Sequence, residues 1–283
     1  MRFTMPLRPK LSLLLAAATV LAVAPPASAA VPGDELIVSS GGWTSYHNRI
    51  GSVSCPAGKQ VIGAFAYPRG NRRDVLVTAL IPSATSVVAM ASEDEDGTDD
   101  EWGLIVEAVC ALPVPGHMIV TASSDTTSSN KQVRATCPPG KKLLTAGWNT
   151  QGAGQVHVNQ IAQSADLASV AVTGMEDPDG YARDWRLTTY AVCSDPLPGQ
   201  EMRTATSVVD RSDKLFDVRC ESDQRRLSAG WSFIGTAGVS PAGQVLPTIW
   251  GSGTSWFELQ AWEDDDGFAH DWYAIARVVC VDR

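Results

Sequence analysis

The chain has 283 residues, with 31 acidic and 22 basic side chains that give a formal net charge of −9. An acidic chain repels phosphate backbones and anionic membrane surfaces, so we do not expect nucleic acid as a partner. Aromatic and branched aliphatic residues are frequent, which argues against a disordered chain.

The first thirty residues are typical of a secretory signal peptide. A basic start is followed by an apolar stretch at 11–24 that is too short to span a bilayer, and small residues then predict cleavage after Ala29 or Ala30. Three basic residues lie in this leader, so the remainder carries 19 basic against 31 acidic residues. No later run approaches the ~20 apolar residues of a membrane helix. We therefore expect a secreted, extracellular protein without membrane insertion.

One segment occurs three times, at 92–110, 175–193 and 262–280. Each copy keeps Glu-Asp-x-Asp-Gly, an acid before a tryptophan, and a cysteine eight residues after that tryptophan. A Pro-Gly pair opens each unit, at intervals of 83 residues. The sequence therefore predicts a signal peptide at 1–30 and three homologous β repeats at 31–114, 115–197 and 198–283.

Six cysteines in an exported chain are expected to form disulfides, because the compartment is oxidising. The two cysteines of each repeat are 55, 56 and 60 positions apart, and this recurrence selects one pairing. The predicted bridges are Cys55–Cys110, Cys137–Cys193 and Cys220–Cys280. No Cys-x-x-Cys motif or closely spaced histidine pair accompanies a cysteine, so the sequence does not favour a zinc site.

Short segments rich in β-branched residues and bounded by Gly, Pro, Ser and Asn predict strands throughout. They lie at 74–81, 86–92, 155–161, 169–174 and 255–262. The last strand of every repeat alternates with a period of two, which places Trp102, Trp185 and Trp272 on an inward face together with the final cysteine.

Five or six strands and one disulfide suffice for a small antiparallel unit of about 83 residues. The links between the units are short and contain proline, which favours repeats that pack against one another. We therefore predict an all-β fold of three antiparallel β-sandwich or barrel-like repeats, packed with pseudo-threefold symmetry.

Three motifs carry a resemblance to a known family. They are Cys-Pro-x-Gly-Lys in the first two repeats, Glu-Asp-x-Asp-Gly in all three, and a tryptophan followed by Ala-Val-Cys in the first two. With the signal peptide, this combination resembles the tandem-repeat exported proteins of streptomycetes and related actinobacteria. The resemblance implies an exported actinobacterial protein, and it supplies no catalytic or ligand residues.

No set of residues typical of catalysis is visible. The four histidines, His47, His117, His157 and His270, occupy different positions in their repeats, so they form no repeated site. Gly-x-Ser-x-Gly, His-Glu-x-x-His, Walker and Rossmann patterns are absent from the sequence. We therefore expect a protein that is not an enzyme and that has no cofactor.

The acidic loops are the first candidate site. They hold 16 of the 31 acidic residues, and clustered carboxylates are ligands that calcium prefers. The EF-hand pattern fails, since neither the first nor the twelfth position of such a loop is acidic in any copy. A calcium loop of another kind and a solvated hairpin loop, in which Asp caps a turn, both remain open. The candidate ligands are Asp94, Asp96, Asp177, Asp179, Asp264 and Asp266.

Two tryptophans form the second candidate site. Trp148 and Trp231 follow Ala-Gly at equivalent positions, and an exposed tryptophan stacks on sugar rings, whereas a buried one belongs to the core. The leading hypothesis is a secreted non-catalytic binding module, multivalent and directed at carbohydrate or the cell envelope, with an extracellular glycan or protein as its partner. The alternatives are an extracellular structural or inhibitory protein that acts through protein contacts, and a calcium-dependent binding protein.

Overall fold

A computed structural model describes residues 1, 30–40, 48–70, 74–94, 97–176, 180–236, 238–241, 243–263 and 267–283. These residues form eighteen β-strands and one 3₁₀ turn, Ala153–Gln155. No helix within these ranges is long and apolar enough to cross a membrane. The predicted signal peptide lies almost wholly outside the described residues, so its cleavage stays a prediction.

Each repeat contributes six strands. In the first repeat they are β1 (Glu35–Ser40), β2 (Asn48–Ser54), β3 (Gln60–Gly70), β4 (Val75–Pro82), β5 (Ser86–Glu93) and β6 (Trp102–Ala111). In the second they are β7 (Met118–Ser123), β8 (Lys131–Thr136), β9 (Lys142–Asn149), β10 (Val156–Gln163), β11 (Ser169–Glu176) and β12 (Thr188–Ser194). In the third they are β13 (Glu201–Thr206), β14 (Lys214–Arg219), β15 (Gln224–Gly235), β16 (Val245–Ser252), β17 (Trp256–Glu263) and β18 (Trp272–Asp282).

Strand pairing follows the same order in every repeat. The first strand pairs with the sixth and the sixth with the third, while the second pairs with the fifth and the fifth with the fourth, all antiparallel. At two junctions the fourth strand of one repeat also pairs with the third strand of the next, β4 with β9 and β10 with β15. The sheets therefore contain three, six, six and three strands, with orders β1-β6-β3, β2-β5-β4-β9-β12-β7, β13-β18-β15-β10-β11-β8 and β14-β17-β16.

This topology confirms the all-β prediction and corrects the predicted arrangement. Counted by hydrogen-bonded sheets, the architecture is that of a four-bladed β-propeller, and the predicted pseudo-threefold packing of three separate sandwich repeats is wrong. The repeats are not self-contained, because two of the sheets continue across a repeat boundary. The predicted boundaries at 114/115 and 197/198 stay predictions.

One position of the third strand differs between the junctions that have a ladder and the junction that has none. A Cβ atom on Gly147 would lie 2.4 Å from the Leu80 carbonyl oxygen, and one on Gly230 would lie 2.6 Å from that of Ile161, so glycine lets the neighbouring backbone approach. The residue that follows the equivalent alanine in β3 is Phe65. At this junction β16 lies beside β3 without a ladder among the described residues, and the sheets remain separate.

A buried ion pair stabilises this third junction instead. The guanidinium of Arg226, in the third repeat, lies 3.3 Å from the ring centroid of Phe65. Its Nη2 atom donates to Oε2 of Glu107, in the first repeat, at 2.8 Å, and both side chains are almost fully buried. Burial lowers the pKa of Arg226, while the charge of Glu107 opposes that change.

The disulfides and three tryptophans form the centres of the repeats. The bridges Cys55–Cys110, Cys137–Cys193 and Cys220–Cys280 are present as the spacing predicted. Each joins the end of the second strand to the sixth strand, and so connects the two sheets of one repeat. Trp102, Trp185 and Trp272 have at most 1% of their surface exposed, which confirms their inward phase. Three disulfides are typical of an oxidising extracellular environment.

Candidate functional site

Each acidic loop begins with a glutamate that is bound to a core tryptophan. Oε1 of Glu93, Glu176 and Glu263 accepts a hydrogen bond from the indole Nε1 of Trp102, Trp185 and Trp272, at 2.8, 2.7 and 2.7 Å. In every repeat nine positions separate the acceptor glutamate from the donor tryptophan. Trp102 and Trp272 begin β6 and β18, whereas Trp185 forms an isolated bridge with Thr127 just before β12. The shared glutamate of the motif therefore satisfies a buried indole N–H, which is a structural role.

The turn residues of the acidic loops have hairpin geometry. Gly97, Gly180 and Gly267 have φ angles of +67°, +83° and +70°, a region that favours glycine. The backbone N–H of Gly97 donates to Oδ1 of Asp94 at 3.1 Å, as in an Asx turn. Both features agree with a solvated hairpin loop.

The predicted calcium ligands are only partly visible. Asp94 is described, whereas Asp96, Asp177, Asp179, Asp264 and Asp266 lie outside the described residues. Within the ranges that the structure describes, no group of three His, Cys, Asp or Glu side chains is placed to hold a metal ion. The two alternatives for these loops, a calcium loop and a solvated hairpin loop, are therefore distinguished by the calcium experiment and not by the described geometry.

A lysine covers the core tryptophan in two repeats. Nζ of Lys131 lies 4.6 Å from the ring centroid of Trp185, and Nζ of Lys214 lies 4.4 Å from that of Trp272. Lys214 also donates to Oδ1 of Asp210 at 2.5 Å, and this bond lowers the pKa of Asp210 to about 2. The cations are therefore engaged in packing and do not form an open anion site.

Trp148 and Trp231 occupy the interior where the repeats meet. Each is only 3% exposed, and their rings contact edge to face with centroids 5.8 Å apart. Their indole N–H groups donate to the carbonyl oxygens of Val77 and Val158, each in the preceding repeat, at 3.1 and 2.9 Å. Of the two alternatives that the sequence left open, burial holds, so Trp148 and Trp231 offer no exposed face to a sugar. Their equivalence reflects a shared role in joining repeats.

The cavity beside these tryptophans is small. Its volume is about 20 Å³, and its lining includes Ala66, Pro68, His157 and Pro247 in addition to the two indoles. A single water molecule needs roughly 10–15 Å³ of such volume. The space can therefore hold about one water, but no organic ligand.

An open cleft lies on the face of the six-stranded sheet where repeats 1 and 2 meet. It has a volume of about 290 Å³. We call it the junction cleft, and we define it by Asn48, Ile50, Thr78, Met90, Asn149 and Gln151. Its residues come from β2, β4, β5 and β9 and from the loop after β9, so the cleft exists only because β4 pairs with β9.

The junction cleft combines an apolar floor with amide groups. Ile50 is 72% exposed, an unusually open position for a large aliphatic side chain, and the partly buried Met90 is its partner across the ladder. Carboxamides of Asn48, Asn149 and Gln151 surround this floor. Such a lining can bury an apolar ligand face and hydrogen-bond hydroxyl groups at its edge.

The rim of the junction cleft is held in a fixed geometry. Gln151 has a φ angle of +52°, which is uncommon for a residue with a side chain. Its backbone N–H donates to Oδ1 of Asn149 at 3.1 Å. The N–H and hydroxyl of Thr150 both donate to the carbonyl oxygen of Thr78, at 3.0 and 3.2 Å. These bonds connect the rim to the neighbouring repeat.

A larger and shallower groove lies between β13 and β14. It measures about 450 Å³ and is lined by Arg203, Asp217 and Arg219 among others. Arg203 pairs with Glu201 and Glu221 at 2.8 and 2.6 Å, and Arg219 pairs with Asp217. Because its arginines already have carboxylate partners, this groove is a weaker candidate for a ligand site.

Sequence reasoning did not identify the junction cleft. The motifs that stand out in the sequence are repeated three times, whereas the cleft residues differ from their counterparts in the other repeats. That departure from the repeat, at positions such as Ile50 and Asn149, was the available signal.

Comparison of the chain with protein-family models gives no match, and comparison with curated proteins gives none either. The resemblance to actinobacterial exported proteins stays a prediction.

Proposed function

We propose that this protein is a secreted, non-catalytic binding module directed at extracellular carbohydrate or cell-envelope material. The observation that carries the proposal is the junction cleft, in which amide groups surround an exposed apolar floor. Neutral polar ligands with one apolar face match this lining better than ions or lipid tails do. No metal or other cofactor is part of the proposal.

A binding role is also supported by the chemistry of the cleft lining. The side chains of the junction cleft include amides, hydroxyls, Met90 and Ile50, together with Arg49. General acid–base catalysis needs a group such as a carboxylate or an imidazole within hydrogen-bond reach of the reacting atoms. No such group is among the described residues that line the cleft, so the lining is suited to recognition.

A glycan array probed with the purified protein tests this proposal, together with a pull-down on isolated bacterial envelope material. We expect retention on a restricted set of neutral glycans or on the envelope fraction. The test variant is Asn149→Ala. It removes one amide of the cleft and should reduce retention. Absence of retention on every glycan and envelope fraction would contradict the proposal.

A second candidate function has a specific observation in its favour. Val208, Val209 and Leu215, in the third repeat, are 67%, 55% and 61% exposed. Exposed large aliphatic side chains are common in protein-binding surfaces. A structural or inhibitory protein that acts through protein contacts would use these three side chains. Replacement of all three residues by serine would then abolish capture of the partner protein without affecting glycan retention.

A further inference from the structure

Equivalent strands also meet at the other two repeat junctions, so the surface at each of them can be compared with the junction cleft. The ladders give the correspondence directly, since Ile50 pairs with Met90, Gln132 with Thr173 and Leu215 with Gln260. In the third strand of each repeat, Asn149 corresponds to Ser232 and Tyr67. In the fourth strand, Ala79 corresponds to Gln160. The three junctions can therefore be compared residue by residue.

At the junction of repeats 2 and 3, polar side chains bond to one another across the face. Nε2 of Gln132 donates to Oγ1 of Thr173 at 3.0 Å, and that hydroxyl donates to Oε1 of Gln160 at 3.3 Å. Nε2 of Gln160 in turn donates to Oγ of Ser232 at 3.0 Å. The polar groups of this face are thus satisfied by their neighbours, and a ligand would have to replace those bonds.

At the junction of repeats 3 and 1, the counterpart of Asn149 is a large aromatic residue. The hydroxyl of Tyr67 donates to Oε1 of Glu107 at 3.0 Å. That carboxylate is also bound to Arg226, so this face is part of the buried ion-pair network that holds the two repeats together. The Tyr67 hydroxyl, which stands in place of the Asn149 amide, is therefore already bonded within the junction.

At the junction of repeats 1 and 2, the corresponding residues leave space. Ala79 occupies the position of Gln160, and Met90 occupies the position of Thr173, whose hydroxyl bonds to Gln160 at the junction of repeats 2 and 3. Among the described lining residues, no long polar side chain takes the place of Gln160, so Ile50 and Met90 line the cleft together with Asn149 and Gln151. Three differences from the second repeat therefore accompany the open cleft, namely Ile50 for Gln132, Ala79 for Gln160 and Met90 for Thr173.

The charge of the cleft lining and the volume of the cleft restrict the class of ligand further. Among the described lining residues, Arg49 alone carries a charge, and the others are neutral. The counterparts of Arg49 in the other repeats, Lys131 and Lys214, lie over Trp185 and Trp272. Its volume of about 290 Å³ is at the lower end of the roughly 300–1,000 Å³ of small-molecule pockets. A single ring fits this volume better than a chain of several.

We infer that the junction cleft binds one neutral pyranose ring, and that each chain has one such site. The apolar face of the ring lies on Ile50 and Met90, and its hydroxyl groups bond to the carboxamides of Asn149 and Gln151. This inference rests on the proposed binding function and replaces the expected multivalency by a single specialised junction.

The repeats themselves supply the test variants. In the closed variant, Ala79→Gln, Met90→Thr, Ile50→Gln and Asn149→Ser bring the residues of the second face into the junction cleft. In the opened variant, Gln160→Ala, Thr173→Met, Gln132→Ile and Ser232→Asn make the reverse exchange. Every introduced residue already occupies the equivalent place in this chain, so both variants are expected to fold. Val38→Thr, which exchanges an exposed residue for its counterpart Thr121, is the control.

Isothermal titration calorimetry with methyl glycosides of neutral hexoses and N-acetylhexosamines, and with methyl glucuronide as the charged comparison, measures affinity and stoichiometry. We expect one site per wild-type chain, weaker binding of the glucuronide, and a loss of affinity of about tenfold or more in the closed variant. The control should bind as the wild type does. The opened variant should bind two ligands per chain.

The outcomes separate this inference from the proposal on which it rests. Wild-type affinity in a folded closed variant, a stoichiometry of three, or preference for the glucuronide would overturn the inference and leave a binding module intact. No binding of any glycoside, array glycan or envelope fraction would overturn both. If the closed variant does not fold, as judged by its melting transition, the single changes Met90→Thr and Asn149→Ser decide the question.

Discussion

Nε1 of Trp185 donates a hydrogen bond to Oε1 of Glu176 at 2.7 Å, across the acidic loop that separates the two residues. The same bond recurs in the other two repeats. The acidic motif is therefore bound to the core at its first residue, and its remaining acids extend from that anchor.

Replacement of Glu176 by alanine should lower the free energy of unfolding by about 1–3 kcal/mol, because a buried indole N–H would lose its acceptor. Asp184→Ala, at an exposed position of the same loop, is the control and should change stability little. Urea unfolding followed by tryptophan fluorescence measures both. Equal effects of the two changes would show that the carboxylate of Glu176 has no special role.

The ion pair between Arg226 and Glu107 predicts a non-additive pair of substitutions. Glu107→Ala alone should cost about 3–5 kcal/mol, because it leaves a buried guanidinium without its charge partner. The second repeat has Leu143 and Tyr190 at the equivalent positions. The double change Arg226→Leu and Glu107→Tyr should therefore be less destabilising than Glu107→Ala. Thermal unfolding of the three proteins tests this order, and a double variant less stable than the single one would contradict it.

Burial of Trp231 predicts that Trp231→Ala destabilises the protein by about 3–5 kcal/mol, as for other large core truncations. Glycan retention by the folded fraction should persist, since the indole is in the interior. Trp→Phe at the same position is the control for loss of the N–H alone. Specific loss of retention with unchanged stability would restore the earlier view of Trp231 as a sugar platform.

Acid should weaken the contact between Lys214 and Asp210. The hydrogen bond from Lys214 lowers the pKa of Asp210 from 3.8 to about 2. A depressed folded-state pKa contributes stability that is present above pH 3.8 and is lost as the pH falls towards 2. Asp210→Asn should therefore flatten the pH dependence of the unfolding free energy in that window. Asp184→Asn is the comparison, and an equal flattening in both variants would refute the assignment to Asp210.

Calcium should raise the melting temperature no more than sodium chloride does at equal ionic strength. The shared glutamate of each loop is already bound to a tryptophan, so the remaining acids respond to screening alone. Differential scanning calorimetry in the two salts measures the shift. A calcium-specific rise would instead indicate a calcium-dependent binding protein. That rise would have to disappear on Asp→Asn replacement at Asp94, Asp96, Asp177, Asp179, Asp264 and Asp266.

Local patterns of the sequence determined the interior of each repeat. The period of two placed Trp102 and Cys110 on an inward face, and the recurring spacing selected the disulfide partners, because both signals depend on the backbone of one strand or on a unit copied three times. The all-β class followed from the same patterns. The sequence left burial and exposure of Trp148 both open, since its partner Val77 belongs to another repeat.

The tertiary structure alone decided how the repeats join and where a ligand could bind. Phe65 stands where Gly147 and Gly230 let a neighbouring strand approach, and the sheets are separate at the junction that has Phe65. The junction cleft brings Ile50 beside Asn149 although about a hundred positions separate them in the chain. No local periodicity reports such a meeting, because it depends on pairing between strands of different repeats.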